Sequence, residues 1–173
     1  MDFSKWLLSE LTFPELYKST VNAFPSTTKR QHAVDTIEIS DLTWIPYKGV
    51  RTLFVKGLAQ NENKEYKTIV LFKNVKYHEN KMPSLVSIST DAGHVFMERM
   101  QLEKNDILLR CTCPDFKWRF NYFDHVDKSL YGRKRAKYEA KFNPGSANPQ
   151  EMPGMCKHLI KMMKTLIESG LIK

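Results

Sequence analysis

The sequence predicts an α+β fold, with N-terminal helices, a central antiparallel sheet, and a C-terminal zinc-bound module of hairpin plus helix. Three observations lead there. Apolar residues recur at helical spacing near both ends of the chain, where Phe3, Trp6, Leu7 and Leu11 open it and Met155, Leu159, Met162, Met163 and Leu166 close it. The middle carries short runs rich in Val, Ile, Thr and aromatic residues, broken by polar turn signals. All three cysteines fall into two short pairs with a histidine, Cys111-Thr112-Cys113 and Cys156-Lys157-His158.

In chain order, residues 3–11 read as a first helix. Pro14 suits the first turn of a second, running to about Ala23 with Leu16, Tyr17 and Val21 on its apolar side. "FPSTT" breaks it. "DTIEIS" alternates as a strand should, and "VRTLFVKGLA" and "EYKTIVLFKNVKY" flank the polar "QNENK" as the arms of a hairpin. "SLVSIS", "HVFMERM" and "DILLRC" read as further strands, with Asn105-Asp106 as the turn between the last two. Pro114 then opens a helix with Phe116, Phe120, Tyr122, Phe123 and Val126 on one face. "NPGSANPQEMPG" is a loop by its Pro, Gly and Asn density. The last helix follows Gly154, and Gly170 is its natural C-terminal cap. The division expected is 1–106, helices plus sheet, and 107–173, a metal module, the two forming one compact unit.

Cys-x-Cys sends two thiolates from one strand end, and Cys-x-His sends a thiolate and an imidazole from the start of a second element. Together Cys111, Cys113, Cys156 and His158 make the four soft N/S donors of a closed tetrahedral zinc site, so one structural zinc ion is the expected cofactor. His125 is a poor fourth ligand, because a helix from Pro114 carries it roughly 18 Å along the axis from Cys113. His32, His78 and His94 are solitary and read as ordinary surface residues.

The pattern in "RCTCPDF" and "GMCKHLIKMM", over residues 107–166, resembles the SWIM-type zinc finger, which implies those same four ligands and a nucleic-acid-binding role. The chain departs from that family in one respect. The stretch between the pairs is 42 residues long, 114–155, longer than is usual there, and reads as an inserted subdomain. More broadly, "AFPSTTKRQHA", "RTLFVKGLAQNENKEYKTIVLFKNVKY", "CTCPDFKWRF", "LYGRK" and "NPQEMPGMCKHL" resemble small proteins of tailed bacteriophages. That implies a chain made in the host cytoplasm and incorporated in a virion.

Charge selects partners. The net charge is +8 and concentrates in residues 128–141, where Lys128, Arg133, Lys134, Arg135, Lys137 and Lys141 face a single carboxylate, Glu139. Tyr131, Tyr138 and Phe142 are interleaved. Cations among flat rings fit phosphate contact and base stacking, and fit an acidic protein groove equally. A solvated basic loop is the bland alternative. The first turn of the chain is interrupted by Asp2, Lys5 and Glu10 and lacks a signal-peptide core, and no apolar run approaches a membrane span. Three cysteines in metal-like pairs suit a reducing interior.

Catalytic signals are missing. The sequence contains no His-Glu-x-x-His, no Gly-rich phosphate loop, no Gly-x-Ser-x-Gly and no paired-carboxylate motif, and four protein donors leave a zinc no open position for water. Asp115, close after Cys113, suits helix capping better than catalysis. The reading is therefore a non-enzymatic assembly protein of a phage tail, baseplate or neck that docks other protein subunits. The alternative is a nucleic-acid-binding module using the basic aromatic insert. Neither membrane nor small-molecule substrate is expected.

Overall fold

The structure, a computed structural model, describes residues 11–25, 34–139 and 147–173. The helix expected at 3–11 lies outside these, except Leu11, as do His32, Lys141 and Phe142. The fold is mixed α and β, with antiparallel sheets and helices.

Helix α1 is Phe13–Ala23. Thr12 precedes it, and its backbone N–H donates to the Glu15 carboxylate at 2.7 Å, closing the first turn. Leu16, Thr20 and Ala23 face inward, whereas Tyr17, expected on the apolar side, stands outside against Phe13. The inward hydroxyl is satisfied on both sides, since Thr20 Oγ1 donates to Leu16 O and accepts the Met155 N–H at 2.8 Å.

Strands β1 (Ile37–Tyr47), β2 (Thr52–Asn61), β3 (Lys64–Phe72) and β7 (Ile107–Cys111) form one antiparallel sheet in the order β1-β2-β3-β7. The β2–β3 hairpin turns at Glu62-Asn63, as its polar loop predicts, and Glu62 takes the left-handed conformation. A second sheet holds β4 (Tyr77–His78), β6 (Gly93–Met97) and β5 (Val86–Thr90) in that order. The single sheet expected is thus two. Asn105-Asp106 does not join paired strands, because β6 and β7 belong to different sheets. Instead the Asn105 side chain accepts the Gln101 N–H and donates to Lys73 O, folding the connection back on itself.

Residues 114–126 are helical with a π turn, Phe116–Phe120, running into α2, Asn121–Val126. Phe116 and Phe120 are fully buried, but Val126, expected on the same face, is exposed, because the wide turn rotates the rest of the helix. The final helix, α3 (Lys157–Glu168), lies across the four-stranded sheet. Leu159, Met162, Met163 and Leu166 are completely buried on it, the face its spacing predicts. Gly170 (φ +76°) ends it in the left-handed conformation. Residues 171–173 then pair with Met100.

Candidate metal centre

The two cysteine pairs meet where β7 ends and α3 begins. Cys111 closes β7, opposite Thr68 of β3. Thr112 continues the pairing by two hydrogen bonds to Lys67, which fixes the chain so that Cys113 points back beside Cys111. Cys156 is the residue from which α3 starts, and His158 lies in its first turn. The four ligand atoms of Cys111, Cys113, Cys156 and His158 all lie within 4.8 Å of one another, and all four residues are buried. Four donors around one zinc-sized ion stand about 3.5–4 Å apart, given metal–donor bonds of about 2.0–2.3 Å. The cluster is therefore of the size that one tetrahedral metal ion needs.

Two further observations test the fit. Outside the cluster itself, neither ring nitrogen of His158 has a hydrogen-bond partner among the described residues, although the ring is only 3 % exposed. Burying an imidazole so is costly unless a nitrogen binds something. The three thiols also compete for one negative charge. Hydrogen bonds from Cys111 and Cys156 pull Cys113 far below its ordinary value, while burial pushes Cys111 and Cys156 well above theirs. A cation at the centre is what would stabilise three thiolates at once. Around them, the N–H groups of Cys113 and Phe116 point at the sulfurs of Cys111 and Cys113, at 3.5 and 3.3 Å, and the Tyr66 ring packs 4.7 Å from that of His158. Such surroundings orient ligands and exclude water. The residues fit a soft, closed, one-ion site. His125 is exposed on α2 and takes no part.

The basic insert is built onto this centre. The Leu109 N–H donates to Ser129 O and the Tyr131 N–H to Leu109 O, so residues 129–131 run parallel to β7 along its free edge. Arg110 Nη1 donates to the carbonyls of Tyr131 and Arg133, both at 3.0 Å, and Asn121 Oδ1 accepts the Arg135 N–H at 2.7 Å. Asn148, also buried, ties Arg119 O to Met152 O. Of the insert residues singled out in the sequence, Arg133, Lys134, Arg135, Lys137 and Tyr138 line one cleft. Tyr131 instead leans half-buried on Phe54, and Lys128 stands exposed at the end of α2 in a left-handed conformation.

Sequence reasoning passed over Arg110 and Trp118, which complete the cleft, and the buried Asp124. For Trp118 a signal existed, since an aromatic between Lys117 and Arg119 sits on the polar side of its helix. Asp115, expected to cap, pairs through Oδ1 with Arg119 Nε at 2.9 Å. Among the described residues no helix is long and apolar enough to cross a membrane. No family model matches the chain, and no curated protein and no solved structure matches it either.

Proposed function

We propose that this chain is a non-enzymatic structural protein, stapled by one zinc ion, that holds its insert as a docking face for other protein chains of a larger particle. The observation that carries the reading is the closed, buried Cys3His shell. Three sulfurs and one imidazole nitrogen in tetrahedral reach suit zinc by softness and number, and spend every coordination position on the protein. Structural zinc contributes about 10–16 kcal/mol, as much as the whole net stability of a typical domain, so the metal's role here is to hold β7, α3 and the insert between them. The sequence resemblance makes a tailed-phage tail, baseplate or neck the proposed setting.

Purified protein should carry one zinc per chain by elemental analysis. Replacing Arg133 and Tyr138 with alanine should leave that zinc in place, since neither is a ligand, yet abolish incorporation into the source particle. A variant that still assembles at full occupancy by cryo-EM overturns the docking reading.

A second reading is a nucleic-acid-binding module. One observation favours it: among the described residues no carboxylate pairs with Arg110, Arg133, Lys134 or Arg135. A cation cluster left without acids attracts a polyanion, with an affinity that falls steeply with salt.

A further inference from the structure

Resting on that second reading, we infer that the cleft between the π turn and residues 133–139 binds single-stranded nucleic acid, with bases stacking on Trp118 and Tyr138 and phosphates lying on Arg110, Arg133 and Arg135. The π turn sets the geometry. By burying both Phe116 and Phe120 it leaves Trp118 facing outward, 43 % exposed, at the wall of the cleft. Tyr138, 42 % exposed, stands across from it with ring centroids 5.4 Å apart and planes inclined at 54°, so the two rings are not stacked flat on each other. Lys117 Nζ sits 4.3 Å over the indole and occupies one of its faces. Two large aromatic side chains left half in water in this way are platforms for a flat ligand.

Charge supplies the other half. Arg110 is fixed by two backbone carbonyls rather than by an acid. Burial, and then the like charge of Arg135, lowers the pKa of Arg110. Lys137 is paired with Glu151, and among the described residues Glu139 is the one carboxylate on the cleft wall. A ligand that suits this lining must bring several negative charges and flat faces together.

An acidic peptide brings the charge without the rings. A duplex brings both, but its bases are stacked inside and cannot reach side chains that stay on the protein surface. A single strand has phosphates on one side and free π faces on the other. The cleft holds about 720 Å³, in the range of roughly 300–1,000 Å³ that ligand sites occupy.

The test is fluorescence anisotropy of the full zinc-loaded chain at low salt with three probes: labelled oligothymidylate, a duplex of equal length, and polyglutamate. Oligothymidylate should bind best. Trp118→Ala and Tyr138→Ala should each weaken it about tenfold, and Trp118→Phe less. Arg133→Ala and Arg135→Ala should each flatten the salt slope by about 0.7. Zinc content should be unchanged in all of them, which separates a lost cleft from a lost fold. With Trp6 and Trp44 replaced by phenylalanine, the remaining Trp118 emission should be quenched by the strand.

Oligothymidylate binding that is indifferent to Trp118→Ala and Tyr138→Ala overturns the cleft while leaving the nucleic-acid reading standing. Tighter binding of the duplex, or of polyglutamate, also overturns it. No binding of either nucleic acid at low salt overturns the cleft and the second reading together.

Discussion

The backbone N–H of Gly154 donates to Oδ1 of Asp124 at 2.7 Å inside the protein, joining α2 to the residue two places before Cys156 of the Cys/His cluster. The other carboxylate oxygen, Oδ2, has no partner among the described residues, and Asp124 is wholly buried. Burial therefore holds this carboxyl well above its ordinary value, against the pull of the Gly154 amide, and Asp127 adds to the rise.

A pH dependence follows. Above about pH 4 the unfolded chain has lost this proton and the folded chain keeps it, so the fold binds more protons and loses stability as pH rises toward the folded value. Asp124→Asn keeps the acceptor for Gly154 and removes the titration. Urea unfolding of the zinc-loaded protein across pH should show the difference between variant and wild type growing by up to about 1.4 kcal/mol per pH unit in that window. Ligand protonation is common to both proteins and cancels. A pH-independent difference rejects the assignment.

Gly154 is tightly enclosed. A Cβ there would lie 2.6 Å from Thr20 Oγ1 and 2.7 Å from a Phe120 ring carbon. Gly154→Ala should destabilise the protein by about 1–3 kcal/mol through forced movement of both. Thermal melts measure it, and an unchanged Tm counts against this packing.

Thr20→Val removes the hydroxyl that accepts the Met155 N–H and leaves that buried amide unpaired. The expected cost is about 1–3 kcal/mol in chemical denaturation, at nearly constant side-chain volume.

Metal removal should act on a defined region. Chelation, or Cys156→Ser, should release amide-exchange protection first in residues 111–116 and 156–160, where N–H groups are held to the sulfurs and to the first turn of α3. Uniform protection after zinc is stripped would show that the ion holds nothing.

Period and pairing made much of this readable beforehand. The runs at residues 50–59 and 65–77 give a hairpin because the polar stretch between them is short and both arms carry apolar residues suited to a strand. The Met and Leu spacing of α3 predicts its buried face for the same local reason. The meeting of Cys111, Cys113, Cys156 and His158 in one buried cluster is legible because thiolate and imidazole pairs carry their own chemistry. What the sequence hides depends on distant partners. The separation of β6 from β7 is settled by which strands each meets, not by either run alone. The π turn departs from the regular helical period, so Val126 is misplaced by any regular wheel. Asp124 reads as an ordinary helical carboxylate until Gly154 arrives from thirty residues away.

If the centre takes one ion, the 42-residue stretch between Cys113 and Cys156 sets how the chain closes around it. Each half of the centre is local, one at a strand end and one in a helical turn, so either can seize an ion before the other arrives. The second half then has two routes, from its own chain or from a neighbour. In the unfolded chain a tether of this length keeps its own end at an effective concentration on the order of millimolar, and closing it costs only logarithmically more as it lengthens. Below that concentration self-capture wins. Above it, ion-bridged pairs of chains exchanging halves become the competing product, so the length of the insert sets the concentration at which refolding with metal begins to cross-bridge chains.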